Sequence, residues 1–306
     1  MSVDDESVTV SRDRSAHRRL GAVAFVVGAG ALWSLIESVG GVLSRSHPPL
    51  QTVWLRYAAH VTTVLIAALP RTGRAMFATG HIGLQVLRGL CMFVMPVAFL
   101  LGVARAPATD VWGVFWAAPV LVLAVAQLLL GERPRATLWI SALVGLVGAL
   151  LALAPGLGVP SALLPGGLMA ASFAGYLLLS RVLRDEPLST SLFYTGVGAL
   201  MPLCLLLPWI WTPLRLTDAW AVLALGAASV LFLASLDRAS GLAESSFIAP
   251  LLYLVLPFEA ALTAVLHQER PAGLAVVGLG AICLATTVVA LHSPLRSPMS
   301  VGRRAT

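Results

Sequence analysis

Four ionisable side chains lie inside long apolar stretches of this 306-residue sequence, where a charge is costly unless it has a task. Glu37 and Glu259 are the acids, and Arg56 and His60 are the basic side chains. Such groups can bind a charged solute, form a gating ion pair or exchange a proton. The alternative is structural: a salt bridge between neighbouring helices, a protonated acid bonded to the backbone, or an interior histidine. The residues alone leave both interpretations open.

Five aromatic residues form a second candidate set, because they fall within the apolar stretches and not only at their interfacial ends. They are Trp33, Trp112, Trp116, Tyr176 and Tyr253. Rings that line a cavity would suit a planar or cationic solute through stacking and cation–π contact. The alternative is that these rings fill space between packed helices.

Further charges lie at the ends of the apolar stretches, where structural explanations are favoured. Arg88 could capture an anion, but a side chain at a helix start is expected to reach the lipid headgroups. Asp110 and Glu244 fall in first helical turns, where acids are stabilising. Glu132 and Glu269 each precede an Arg-Pro pair and are interpreted as interfacial anchors of the fold.

The residue pattern argues against several classes of protein. The six histidines are scattered and the three cysteines have no paired spacing, so neither a metal site nor a disulfide framework is predicted. No nucleotide-binding loop and no clustered catalytic groups are present, so we predict neither a cofactor nor an enzyme. The net charge of +6 comes from arginines in short loops, which does not indicate nucleic-acid binding.

Ten transmembrane helices are predicted to position these residues. The sequence is 58% hydrophobic and 11% charged, whereas soluble domains carry about 25% charged residues. Apolar runs of about 20 residues, the length of a spanning helix, recur between Pro- and Gly-containing breaks. The predicted helices cover residues 20–43, 50–69, 82–103, 107–130, 136–154, 162–181, 190–209, 217–236, 242–266 and 272–291.

The distribution of arginine predicts the orientation. With the N-terminus inside, fourteen of the twenty arginines fall in cytoplasmic segments and four in external ones, and Arg56 and Arg88 belong to helices. This excess predicts that both termini are cytoplasmic, in the inner membrane of the cell. The predicted divisions are a tail at 1–19, repeats at 20–154 and 160–292, and a tail at 293–306.

An internal repeat relates the two halves of the chain. Residues 106–150 resemble residues 243–291, and Glu132-Arg133-Pro134 aligns with Glu269-Arg270-Pro271. Because each half holds five helices, an odd number, the halves must insert with opposite topology. Inverted repeats are typical of secondary transporters, with the solute site near the midplane between them.

Short motifs recur in the same order in both halves. In the first half they are Leu87-Arg88-Gly89-Leu90, Ala106-Pro107-Ala108-Thr109, Ala118-Pro119 and Leu130-Gly131-Glu132-Arg133. In the second half they are Tyr176, Ser180-Arg181, Ala249-Pro250, Leu252-Tyr253 and Glu269-Arg270-Pro271 followed by Gly278. In order and spacing these residues resemble the drug/metabolite transporter superfamily, specifically its EamA-type ten-helix members.

The resemblance covers nearly the whole chain after residue 20. It implies a carrier or exporter of small metabolites, linked to a proton or other gradient, with two inverted five-helix repeats around a central cavity. Glu37 stands where members often carry an acid in the first helix, whereas Gly41 replaces the basic residue that often follows.

The sequence therefore predicts an all-α integral membrane protein that acts as a secondary transporter. The expected partners are a small-molecule solute and membrane lipid, with protons as a candidate coupling ion and a homodimer as an open alternative. A membrane-embedded enzyme acting on a lipid or prenyl substrate, and a non-transporting sensor, are the competing classes. Solute identity and direction of transport are left open.

Overall fold

The computed structural model describes residues 3–154, 156, 160–268, 271 and 273–292, and its regular elements within these ranges are helices. The α-helices are α1 (Val3–Leu43), α2 (Pro49–Thr72), α3 (Ile82–Val103), α4 (Ala108–Phe115), α5 (Ala118–Leu129), α6 (Ala136–Leu153), α7 (Pro160–Val182), α8 (Leu188–Ile210), α9 (Ala219–Leu242), α10 (Ser245–Leu251), α11 (Val255–His267) and α12 (Gly273–His292).

Ten segments within the described ranges are long and apolar enough to cross a membrane. α4 and α5 together form the fourth segment, α10 and α11 form the ninth, and each remaining helix forms one. Their lengths of 18 to 29 residues match the bilayer core. The predicted all-α fold with ten spanning helices is confirmed.

Many large apolar side chains lie on the outer surface of the helices, and several charged side chains lie in the interior. Ile66, Leu128 and Leu205 are each more than 70% exposed, whereas Arg88 and Asp110 are buried. Water would not stabilise such an arrangement, because large apolar patches on a soluble monomer are rare. Lipid tails around the helices account for it.

Two helices extend beyond their predicted bounds by more than one helical turn. α1 begins at Val3, within the segment predicted as a tail, because neither Pro nor Gly interrupts residues 3–20. α9 continues to Leu242 through residues predicted to form a connection. The second Glu-Arg-Pro motif, at Glu269 and Arg270, and the C-terminal tail lie outside the described residues.

The fourth and ninth segments are both interrupted near their middle. α4 ends at Phe115 and α5 resumes at Ala118, with Pro119 in its first turn. A proline cannot donate to the carbonyl four residues earlier, so the helix cannot continue unbroken. In the ninth segment a 3₁₀ turn, Leu252–Leu254, separates α10 from α11.

Helix packing follows a regular pattern across the two halves. The packing of α1 along α9 corresponds to that of α7 along α3. The packing of α2 along α9 likewise corresponds to that of α8 along α3. α2 also packs on α8, and α6 on α12, where Gly148 and Gly278 let the backbones approach closely. When each membrane-crossing segment is replaced by the one five places later in the chain, counting on from the tenth to the first, each of these pairings becomes another of them or itself. The inverted orientation of the halves stays a prediction.

Candidate functional site

A cavity of about 400 Å³ lies among α1, α2, α3, α4, α7 and α9. Small-molecule sites typically have volumes of about 300–1,000 Å³. Nine of the lining residues are aromatic or carry a thioether, namely Trp33, Tyr57, Met92, Met95, Phe99, Trp112, Met169, Phe173 and Phe232. The cavity is therefore suited to a small solute with a substantial apolar portion.

The mouth of the cavity lies at the face that carries the α1–α2 connection. Gly41 near the end of α1, Pro49 at the start of α2 and Val103 at the end of α3 all line it, and all three are exposed. The cavity therefore opens toward this face.

Three rings close the opposite end of the cavity. Trp33 packs edge-on against Phe173 and Phe232, with ring centroids 5.4 Å apart in each pair, and all three side chains are buried. These rings also border a void of about 10 Å³ on their far side, next to Trp116 and Leu252. A space of this size holds at most about one water molecule. We call Trp33, Phe173 and Phe232 the ring floor.

Glu37 and Arg56 are the two charged residues that line the cavity. Arg56 is held by α9 and by its own helix: its Nε donates to Ser229 Oγ at 3.0 Å, and its guanidinium lies 5.3 Å from the centre of the Tyr57 ring. Among the described residues no direct ion pair joins Glu37 to Arg56. The structure thus brings the two opposite charges to one cavity and leaves them unpaired.

The predicted aromatic residues fall into two groups. Trp33 and Trp112 line the cavity, with their ring centroids 6.3 Å apart. Trp116 borders the small void beyond the ring floor, and its backbone carbonyl, at the break after α4, accepts a 2.9 Å hydrogen bond from Tyr253 Oη. Tyr253 therefore joins the two interrupted segments, and Tyr176 lies deeper, outside the cavity lining.

His60 and Glu259 also lie off the cavity lining. His60 is fully buried between α2 and α8, where its Nε2 lies 3.0 Å from the Leu192 carbonyl oxygen. Glu259 lies on α11, which packs along α1, and it is within electrostatic range of Glu37. His60 lies one turn after Arg56 on α2 and within range of its charge, whereas Glu259 lies on a different helix. The part of both residues in the transport path stays a prediction.

The sequence did not indicate a buried charge network below the ring floor. Arg88 Nη1 lies 3.3 Å from Asp237 Oδ1, and the Tyr176 hydroxyl donates to the same oxygen at 3.1 Å. Arg88 also donates to Ser180 Oγ and to the Ser191 carbonyl oxygen. The network thus ties α3, α7, α8 and α9 together about one helical turn below the floor residues.

Arg88 was expected to reach the lipid headgroups, but the structure buries it with 1% exposure. Its interior position depends on Asp237, which the sequence placed in a connection because polar residues surround it. Only the continuation of α9 to Leu242 makes Asp237 an interior residue. The available signal was an arginine at the start of one predicted helix and an aspartate directly after the end of another.

A second polar cluster lies at the same closed end. Glu132 accepts hydrogen bonds from the backbone N–H groups of Ser245 and Ser246, at 2.9 and 2.8 Å, at the start of α10. Arg181 Nε lies 3.9 Å from Glu132, and its Nη1 donates to the Ser240 carbonyl oxygen. Glu132 therefore anchors helix ends, in agreement with its predicted role. Within the described ranges no His, Cys, Asp and Glu side chains group as a metal site requires.

The ten apolar helices define a polytopic membrane protein that holds a cavity closed at one end. Residues 20–154 match the EamA-like transporter family, which confirms over this part of the chain the resemblance predicted from the sequence. The chain also resembles the pseudopaline exporter CntI from two strains of Pseudomonas aeruginosa, UCBPP-PA14 and PAO1. Each is 26% identical over 261 residues, which cover 84% of this chain and 91% of the relative.

A solved crystal structure shares the fold. It superimposes with a TM-score of 0.75 at 23% sequence identity, and the match covers 88% of this chain and 97% of the other. At this identity the likeness supports the fold alone. The family match and the two relatives support a membrane transporter of small metabolites.

Proposed function

We propose that the protein is a secondary active transporter that moves a small organic solute by alternating access between two inverted five-helix repeats. The observation that carries the proposal is the cavity, which is open at the α1–α2 face and closed at the other end. The ring floor and the buried Arg88–Asp237 pair form this closure. A carrier requires a solute site that is closed on one side at a time.

The arrangement of the helices supports the two-repeat mechanism. The packing pattern repeats when the segments are advanced by five, and the interruptions fall in the corresponding fourth and ninth segments. Discontinuous helices supply bending points and free backbone groups in many carriers. The Tyr253–Trp116 hydrogen bond joins the break in the fourth segment to the break in the ninth. We expect both segments to bend at these breaks.

We propose that the solute is exported. With the N-terminus inside, as the arginine distribution predicts, α1 runs outward and the cavity mouth faces the exterior. The state described here is then outward-open. The relatives in Pseudomonas aeruginosa are named as exporters, which favours export of a metabolite made in the cell.

Protons are the coupling ion that we propose. Glu37 is the carboxylate on the cavity wall, and a carboxylate at this position can take up or release a proton as its surroundings change between the two states. A proton moving inward would then drive the solute outward.

Cysteine accessibility tests the alternating-access mechanism. In a background without Cys91, Cys204 and Cys283, Ser44→Cys reports on the mouth and Ser240→Cys on the buried closed end. We expect an impermeant maleimide to label the mouth position and to spare the closed end. Adding Asp237→Asn should reverse this preference. Unchanged labelling of both positions with and without that substitution would contradict the mechanism.

A further inference from the structure

We propose that two histidine–carboxylate pairs, His47–Asp218 and His81–Glu186, are pivots about which the protein alternates, and that both pairs stay joined in its two states. This inference rests on the proposed alternating-access mechanism and adds which contacts are kept while the cavity changes sides. Three observations carry it: the corresponding placement of the two pairs, their location at opposite ends of the bundle, and the contrast with contacts present at one end only.

The two pairs join corresponding positions of the two halves. His47 directly precedes the N-cap of α2, and its Nε2 lies 3.0 Å from Oδ2 of Asp218, the N-cap of α9. Glu186 directly precedes the N-cap of α8, and its Oε1 lies 3.0 Å from Nδ1 of His81, the N-cap of α3. Replacing each crossing segment by the one five places later turns the first pair into the second. The histidine and the acid exchange places, so the contact is kept although the residue types at each position differ.

The first pair can hold whether or not its histidine is charged. His47 Nδ1 lies 2.7 Å from Thr212 Oγ1, which in turn lies 2.8 Å from Gln51 Oε1. A neutral ring with its proton on Nε2 donates to Asp218 and accepts from the Thr212 hydroxyl. A protonated ring donates to both, and the hydroxyl then turns toward Gln51. A contact that survives both forms suits a permanent joint better than a gate operated by pH.

The pairs lie at opposite ends of α2, and these ends of the bundle differ. His47 belongs to the α1–α2 connection at the cavity mouth, where Ser44 and Pro49 line the cavity. His81 and Glu186 lie in the connections beyond the closed end. The same contact is therefore formed beside an open end and beside a closed end. If the second state exchanges the conformations of two inverted repeats, each pair takes the geometry that the other has here, and both remain joined.

Contacts between α7 and α9 follow a different pattern. At the closed end these helices pack together, and Arg181 Nη1 donates to the Ser240 carbonyl oxygen. The corresponding helices, α1 and α3, have no comparable packing within the described ranges. The exchange of conformations would therefore separate α7 from α9 and bring α1 against α3, which closes the mouth.

The residues that would meet at the closed mouth follow from the same correspondence. Val42 lies five positions before the paired histidine of the α1–α2 connection, as Arg181 lies five before the paired glutamate of the α7–α8 connection. Val103 lies 22 positions after the paired residue that caps α3, as Ser240 does after the one that caps α9. Val42 and Val103 are both exposed in the open mouth. We expect them to touch only in the second state.

Cross-linking of cysteine pairs tests which contacts are kept. In the background without native cysteines, three double variants are made: His47→Cys with Asp218→Cys, His81→Cys with Glu186→Cys, and Val42→Cys with Val103→Cys. Each is made with and without Asp237→Asn, which we expect to open the closed end. The purified full-length protein is treated with a short bifunctional methanethiosulfonate. Its intact mass then gives the fraction of chains in which one linker joins both thiols.

We expect the yields at the two pivots to be the same with and without Asp237→Asn. The yield at Val42 and Val103 should rise by at least about tenfold when Asp237→Asn is added, because loss of a buried partner shifts the population to the closed mouth. The control is Arg184→Cys with Asp185→Cys, two adjacent residues beside the second pivot, which should be bridged equally in both backgrounds.

Exchanging the residues of the first pair tests whether the pivot links the two ends. His47→Glu with Asp218→His builds at the mouth the order of residues that the second pair has. We expect either single substitution to remove most of the effect of Asp237→Asn on cross-linking at Val42 and Val103, because opening one end would no longer move the other. The double substitution should restore the effect. Asp185→Asn, on an exposed carboxylate, should leave it unchanged.

The proposal is overturned if either pivot loses its cross-link with Asp237→Asn while Val42 and Val103 gain theirs, because that pair would then be a gate. It is also overturned if Val42 and Val103 gain none. Labelling of Ser44→Cys and Ser240→Cys separates these results from failure of the proposed mechanism. A reversed labelling preference would keep alternating access without the pivots, whereas an unchanged preference would remove both.

Discussion

Glu37 and Arg56 are opposite charges on neighbouring helices that share one cavity without neutralising each other. A direct pair would close the site and satisfy both groups. Ser229 and Tyr57 instead contact the Arg56 guanidinium, so the positive charge stays beside the cavity without a paired carboxylate. The site is preorganised, because a solute does not have to break an existing ion pair before it binds.

Replacing Glu37 tests the coupling role of its carboxylate. Glu37→Gln keeps the shape of the side chain and removes its charge and its ability to exchange protons. In proteoliposomes we expect flux driven by a pH gradient to be abolished, while thermal unfolding stays unchanged. The matched control is Asp185→Asn, which removes a carboxylate that is 91% exposed on the α7–α8 connection. Normal coupled flux in Glu37→Gln would rule out the role.

The sequence could reveal Glu37 and Arg56 because a lone charge within an apolar run stands out against its neighbours. Asp237 gave a weaker signal, since polar residues follow it and the helix end was uncertain. Trp33 and Trp112 were indicated by their positions within helices, and both line the cavity. Which face of a helix meets the cavity depends on how distant helices pack. These helices are apolar on nearly all sides, so their sequences do not show which face is turned inward.

At the scale of elements, the Arg88–Asp237 pair joins α3 to α9 below the ring floor. A buried ion pair often adds little net stability, because desolvation offsets the attraction. Removing one partner is different, because it leaves the other charge buried and unpaired. We therefore expect the Arg88–Asp237 pair to keep this end of the cavity closed only while both side chains are present.

A double-mutant cycle measures this dependence. We expect Asp237→Asn and Arg88→Gln each to lower the free energy of unfolding in detergent by about 3–5 kcal/mol. The double variant should lose less than the sum of the two, by at least about 1 kcal/mol. The Arg184–Asp185 pair, whose aspartate is 91% exposed, is the control, and its cycle should give a coupling energy near zero. Additive losses at Arg88 and Asp237 would show that the pair does not act as a unit.

The interrupted fourth segment provides a second test at this scale. In Pro119→Ala the new N–H could donate to the Phe115 carbonyl oxygen and continue α4 into α5. We expect unfolding stability to rise by up to about 3 kcal/mol and transport to slow, because the bending point is lost. Pro202→Ala in α8, away from the cavity lining, should leave transport unchanged. Undiminished flux in Pro119→Ala would exclude bending at this break.

At the scale of the whole molecule, the number and order of spanning helices followed from the apolar runs alone, since bilayer thickness fixes the length that each must have. The helix ends were less predictable. The sequence at α9 becomes polar before the helix stops at Leu242, and the α4–α5 break lies within an uninterrupted apolar run. The end of α9 depends on contacts with distant helices, which hydropathy does not report, whereas the α4–α5 break has a local signal in Pro119.

The orientation of the whole molecule is open to direct measurement. The arginine distribution predicts that both termini are cytoplasmic, so a fluorescent or enzymatic reporter fused after Thr306 should be active only in the cytoplasm. The same orientation places the cavity mouth outside. In the background without native cysteines, an impermeant thiol reagent added to intact cells should therefore label Ser44→Cys. A reporter on the external side would refute the even number of crossings. A cytoplasmic reporter together with labelling of Ser44→Cys only in opened cells would agree with an even number of crossings. It would also show that the cavity mouth faces the cytoplasm, which would contradict the argument for export.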